Sequence, residues 1–320
     1  MPSSHRYVFI DYIKFTFFTQ VFMLKKLGLL FLFVVIGWSS QAQSFLGWQL
    51  HDRYFSIYAG SGWTGYMGDL TNGKPFSDGL SHMNFGIEAR LLTRIGARVQ
   101  FSRYKIEGTD QNAADSSFNR QRNLSFHSTN YEWHVEGVYY FLKYRGKYHK
   151  RRTYEPYIAA GFGKTYFNPK ADFTDINDVT TTYDLRSIGT ETQTYDNSAW
   201  IIPVHFGVKA ALNEFLNLSL DLGYRFTFSG HLDDVYGRFA GPFDDGTIEA
   251  SLSNRKDEVP EINEEAYDLL VPGGVRGNGK NDAYFLINVN LELYLPQDLF
   301  RGKNGRQRKE KILGKPSAYD

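Results

Sequence analysis

Phe215-Leu216-Asn217-Leu218-Ser219-Leu220-Asp221-Leu222-Gly223-Tyr224-Arg225-Phe226-Thr227-Phe228 decides the fold. Leu216, Leu218, Leu220, Leu222, Tyr224, Phe226 and Phe228 fall on one side; Asn217, Ser219, Asp221, Gly223, Arg225 and Thr227 fall on the other. A period of two over this length is a strand with chemically opposite faces. The same alternation recurs on either side. Trp200, Ile202, Val204, Phe206, Val208, Ala210 and Leu212 oppose Pro203, His205, Gly207 and Lys209. Trp133, Val135 and Tyr139 oppose Glu132, His134 and Glu136, and Phe285, Ile287, Val289, Leu291 and Leu293 oppose Asn288, Asn290 and Glu292. Met83, Phe85, Ile87, Ala89 and Leu91 oppose His82, Asn84, Glu88 and Arg90; Ile95, Ala97, Val99 and Phe101 oppose Arg98, Gln100 and Ser102. Two glycine-bearing segments, around Tyr54 to Trp63 and Tyr157 to Tyr166, bring the expected strands to eight. No sustained 3.6-residue apolar period follows residue 43.

Strands of this length cross a bilayer at a tilt of about 45°. An even antiparallel set closes without a free edge, as hydrocarbon demands. The connections alternate in length. Thr93-Arg94, Lys143 to Tyr154 and Asn213-Glu214 are short or moderate; Gly65–Ser81, Glu107–Ser128, Phe167–Ser198 and Ser229–Asp282 are long. All short ones fall at one end, which is the pattern of short periplasmic turns and long extracellular loops. The expectation is an all-β, eight-stranded antiparallel up-and-down transmembrane β-barrel in the cell outer membrane, with both chain ends in the periplasm.

A soluble lipocalin-type barrel alternates too, with its apolar face inward. The loop asymmetry favours lipid outside. So do polar faces that mix charge with Gly, Ser and Asn, and aromatic residues near strand ends: Tyr139, Phe141, Trp200, Tyr224, Phe226, Phe228 and Tyr294 read as interfacial girdles.

Lys25-Lys26, the apolar run Leu27 to Trp38, and then Ser39 to Gln43 read as a secretory signal cut before Gln43. Residues 1–42 are therefore an N-terminal extension with signal peptide (Met23 being an alternative start), 43–295 the barrel, and 296–320 a basic periplasmic tail. The chain has 36 Lys+Arg against 35 Asp+Glu, too balanced for a dedicated nucleic-acid binder. It has no cysteine, which excludes disulfides, thiol catalysis and thiolate metal sites.

An eight-stranded lumen is just wide enough for side chains to fill. Glu88, Arg90, Arg98, Glu132, His134, Glu136, Lys209, Asp221, Arg225 and Glu292 are expected inside it as a salt-bridged plug, with a proton path or pore as the competing use. His134 and His205 are potential metal ligands, but no close cluster accompanies them in sequence, so a carboxylate-bonded lumen histidine is expected instead. Asp233-Asp234 and Asp244-Asp245-Gly246 lack the spacing of a calcium loop and read as solvated turn residues. G-x-S-x-G, Walker A and H-E-x-x-H are absent; His231 with Asp233 is the one tempting catalytic group. The reading is of a non-enzyme with no cofactor, no metal and no evident small-molecule substrate.

Charge is sorted by side. The Ser229–Asp282 loop holds 12 acids and 5 bases, whereas the turn 143–154 holds six cations and no anion. The tail 296–320 adds seven cations against three anions. A basic periplasmic face steers anionic partners, so Lys147, Lys150, Arg151, Arg152, Arg306, Arg308 and Lys309 are the docking candidates.

Six segments, in order along the chain, carry a family resemblance. They are Gly68-Asp69-Leu70, Arg122-Asn123-Leu124-Ser125-Phe126, Pro156-Tyr157-Ile158-Ala159-Ala160-Gly161, Phe167-Asn168-Pro169-Lys170-Ala171, Gly223-Tyr224-Arg225 and Leu232-Asp233-Asp234-Val235. In these the sequence resembles the PorG-like, DUF6089-like outer-membrane barrels of the Bacteroidetes type IX secretion system. The resemblance implies a non-enzymatic component of protein export, associated with the periplasmic secretion-ring proteins. It carries no catalytic residues. The alternative is a stand-alone barrel for adhesion or envelope integrity, working through its acidic loops.

Overall fold

A strand with one greasy and one polar side must put them in different media, and here the greasy side faces out. The computed structural model describes residues 55–71, 76–77, 79–115, 117–143, 152–213, 215–244, 246–259 and 264–295. The expected signal segment and basic tail lie outside the described residues. Eight long strands form the wall: β1 (Phe55–Met67), β2 (His82–Arg90), β3 (Ile95–Thr109), β4 (Ser125–Tyr140), β5 (Tyr154–Tyr166), β8 (Ser198–Ala211), β9 (Leu216–Thr227) and β10 (Ala283–Leu295). Between β5 and β8 lies a small hairpin, β6 (Lys170–Thr174) with β7 (Thr180–Asp184).

Each wall strand pairs antiparallel with its neighbours in chain order. β1 closes on β10, from Phe55↔Leu295 to Met67↔Ala283. β3 and β4 form the longest ladder, from Ile95↔Tyr139 to Thr109↔Ser125. The sheet thus has no open edge at membrane depth, the condition for β-structure in lipid. No described helix is long and apolar enough to cross a membrane; the chain crosses with strands.

Accessibility decides which medium lies outside. Along β9, Leu218, Leu220 and Leu222 are exposed, while Asn217, Ser219, Asp221 and Arg225 are buried. Phe101 and Phe206 are each 57% exposed, whereas His134, His205 and Arg225 are 0% exposed. A soluble barrel has the opposite arrangement. An apolar exterior around a polar, side-chain-filled interior is the outer-membrane architecture, and the protein is an outer-membrane β-barrel.

Two features differ from the sequence expectation. Strands β3 and β4 run several residues further toward the long-loop end than the alternation suggests. They rise into a packed cap, where the alternation continues with its polarity reversed: Tyr104 and Ile106 are buried, while Arg103 and Lys105 face out. Tyr294, expected in an aromatic girdle, instead points into the lumen and is 3% exposed. Its hydroxyl accepts from Asn217 Nδ2 at 3.0 Å.

The long loops also pack. Leu70, Leu124, Phe167, Leu185, Leu232, Val235 and Leu252 join Tyr66, Tyr104, Ile106, Phe126 and Tyr284 from the strand tops in one buried cluster. This cap sits over the long-loop end of the barrel. Each fully buried Leu or Phe contributes about 1.5–3 kcal/mol, so the cluster is ample to hold the loops in one arrangement.

Candidate functional site

Inward positions stack charges in layers through the lumen, and all ten residues expected there are buried. Nearest the short turns, Lys209 Nζ meets Glu88 Oε1 at 2.6 Å and Glu292 Oε1 at 2.9 Å. Arg90 forks onto Glu155 through two hydrogen bonds, at 2.5 and 3.1 Å. At mid-height, Arg98 Nε donates to Glu136 Oε2 at 2.7 Å, and its Nη1 lies 3.4 Å from Asp221 Oδ2. Above them Arg225 Nη2 donates to Glu132 Oε1 at 3.0 Å, and Tyr284 donates to Glu132 Oε2 at 2.6 Å. Every one of these carboxylates faces a cation, as charges removed from water require. The result is a plugged barrel, as expected from its strand number.

The two lumen histidines stand in this mid-height region. His205 Nδ1 bonds Asp221 Oδ1 at 2.5 Å, the kind of carboxylate partner the sequence suggests. Sequence reasoning misses the rest. His134, Glu136 and His205 converge, with their ligating atoms within 4.8 Å of one another. Glu136 and His134 share a face of β4 by their i, i+2 spacing, but His205 reaches them from β8, across β5. No local signal announces that meeting.

Asp233 and Asp234 are not solvated turn residues: they are 0% and 1% exposed. Asp234 pairs with Arg276 at 3.1 Å and accepts from Tyr195 at 2.6 Å. Asp233 accepts from Tyr66 at 2.5 Å. Burial pushes the Asp233 carboxyl up to about 8, and burial beside Asp233 raises Asp282 as well. Asp244 is exposed as expected, and Asp245 lies outside the described residues.

A second cap anchor is Arg122. Its Nε and Nη2 bind both oxygens of buried Asp110, at 2.7 and 2.9 Å. The same guanidinium donates to the carbonyls of Arg276 at 2.5 Å and Asp69 at 3.2 Å. Three of the resemblance segments, around Asp69, Arg122 and Asp233-Asp234, therefore meet in the cap.

His231 and Asp233 do not form a catalytic pair. Asp233 turns to Tyr66, while His231 stacks on Tyr195 with centroids 4.4 Å apart and has Glu191 Oε2 3.5 Å from its Nδ1. Burial lowers His231 and raises Glu191, so both are held toward their neutral forms.

Of the docking candidates, Arg152 is described and is half-buried at the foot of β5. Lys147, Lys150, Arg151, Arg306, Arg308 and Lys309 lie outside the described residues.

No curated protein matches the sequence. Among solved structures, Neisserial surface protein A (NspA) is similar at 11% identity and a TM-score of 0.37, covering 75% of this chain and 96% of that one. A major outer membrane protein from Thermus thermophilus is similar at 13% identity and a TM-score of 0.40, covering 77% and 100%. OprG from Pseudomonas aeruginosa is similar at 9% identity and a TM-score of 0.37, covering 76% and 97%. These values carry no function across. The family assignment comes from the sequence: a family model matches residues 29–240, well over half of the chain, and the protein belongs to the family described as Domain of unknown function (DUF6089).

Proposed function

We propose that this chain is a non-enzymatic outer-membrane component of a type IX-like protein secretion machine, anchoring or aligning a periplasmic complex through its basic periplasmic face. The observation that carries the reading is the turn 143–154, with six cations and no anion at the periplasmic end of a barrel whose lumen is filled. A plugged barrel acts through its ends rather than by conduction. Cations on a short turn attract anionic protein surfaces over about 8 Å at physiological salt. The family resemblance supplies the partner class, proteins of the periplasmic secretion ring.

Co-purification from gently solubilised membranes tests it. Replacing Lys150, Arg151 and Arg152 with Ser should release the periplasmic partners at moderate salt and reduce cargo secretion. Unchanged co-purification would contradict the docking role.

The alternative reading, adhesion or envelope integrity, draws on the packed extracellular cap. It expects cargo secretion to continue in a gene deletion, and function to be lost when residues 241–282 are removed.

A further inference from the structure

We propose that the barrel lumen binds one divalent transition-metal ion, Zn²⁺ by its ligand chemistry, through His134 Nε2, His205 Nε2 and Glu136 Oε1. His205 Nε2 lies 3.1 Å and His134 Nε2 3.7 Å from Glu136 Oε1. In a tetrahedral zinc site with bonds of about 2.0–2.2 Å, ligand atoms stand about 3.3–3.5 Å apart. The observed separations bracket that value. None of these three atoms has a hydrogen-bond partner, although all three residues are buried. Buried polar atoms are normally satisfied, and three orphans facing one another point to a shared cation.

The atoms behind the ligands are arranged for the same purpose. Asp221 holds His205 at Nδ1 by a hydrogen bond, whereas Glu132 stands 3.3 Å from His134 Nδ1 without forming one. At His205 this carboxylate keeps the proton on Nδ1 and turns the Nε2 lone pair inward, the usual support of a metal-bound histidine. Glu136 is held by its other oxygen, which accepts from Arg98, leaving Oε1 aimed at the histidines.

Charge and space agree. The permanent charges around the two imidazoles are the cations Arg98 and Arg225 and the anions Glu132, Glu136 and Asp221, an excess of one negative charge. Each ligand residue also pairs with a glycine on the adjacent strand: His134↔Gly163, Glu136↔Gly161 and His205↔Gly223. A Cβ at Gly223 would stand 2.6 Å from His205 Cε1, and one at Gly163 would stand 2.5 Å from His134 Cβ. Gly223 keeps room for the His205 imidazole, and Gly161 and Gly163 let β5 approach the β4 backbone that carries His134 and Glu136. Two nitrogens and a carboxylate oxygen suit zinc, with a fourth position open to water. The ion would staple β4 to β8 across β5.

The test uses the full-length, untagged protein purified from membranes in detergent. Metal analysis after dialysis against ZnCl₂ and then metal-free buffer should give about one zinc per chain, and X-ray absorption should report two imidazoles and one oxygen from protein. Asp221→Asn should weaken zinc retention about 10–100-fold, and His134→Gln/His205→Gln should abolish it. Heat-modifiable gel migration checks that each variant is folded. Wild-type protein that retains no zinc while folded, or equal zinc in wild type and the double histidine variant, would overturn the proposal. The absorption measurement needs no variant, so it stands even if a substitution prevents folding.

Discussion

The phenol oxygen of Tyr66 stands 2.5 Å from Asp233 Oδ2 and 3.0 Å from Asp282 Oδ1, joining the first wall strand to both ends of the longest loop. A phenol has one hydrogen, so it can donate to only one carboxylate. The second contact requires a proton on the other acid. The remaining carboxylate oxygens are occupied by backbone, Asp233 Oδ1 by Val235 N and Asp282 Oδ2 by Leu232 N. This junction seats the longest loop on the barrel.

Its stability should therefore depend on pH. Burial raises both carboxyls, Asp233 to about 8. The folded cap then holds more protons than the unfolded loop between about pH 4 and pH 8, and stability falls as pH rises through that window. Amide exchange in residues 228–282 should quicken across the upper part of this window beyond the intrinsic chemistry. The expected rise is up to about tenfold per pH unit for each extra proton the folded cap holds. Asp233→Asn should flatten the dependence.

Lys209→Met should be severely destabilising. It leaves Glu88 and Glu292 buried without their shared cation, a loss of about 3–5 kcal/mol. Adding Glu88→Gln and Glu292→Gln should recover much of it. Urea titration followed by gel migration of the folded barrel reads both effects.

Arg122→Ala should loosen the cap and spare the wall. Asp110 and the carbonyls of Asp69 and Arg276 would lose their donor. Limited proteolysis should then cut the long loops at least tenfold faster, consistent with loss of a buried pair worth about 3–5 kcal/mol. Strand content by circular dichroism should be unchanged.

The wall is legible in the sequence because its signal is local. Leu218, Leu220 and Leu222 declare a lipid face through spacing alone, and Glu88 or Arg225 declare a lumen by sitting between such positions. The partners are not legible. Lys209 meets Glu88 across 121 residues, and His205 meets Glu136 only once β4, β5 and β8 are in register. The cap misleads for a different reason. An Asp-Asp pair in a loop ordinarily means solvent, and only the fold shows Tyr66 and Arg276 waiting for it. Tyr294 reads on the wrong side because an aromatic at a strand end fits a girdle as well as a lumen.

Leu220→Lys should cost about 2–4 kcal/mol in bilayer-refolded protein, the depth-dependent penalty for a charge facing lipid. Leu220→Phe should be nearly neutral. Reversible unfolding from lipid vesicles measures the difference.

The most direct test of the account is a single-cysteine scan along β9, possible without background because the chain contains no cysteine. Nitroxide labels at Leu218, Leu220 and Leu222 should be reached by oxygen dissolved in lipid and shielded from a water-soluble paramagnet, while labels at Asn217, Ser219 and Asp221 should be shielded from both. Free access of the water-soluble reagent to the leucine positions would place water, not lipid, around the barrel and contradict the account.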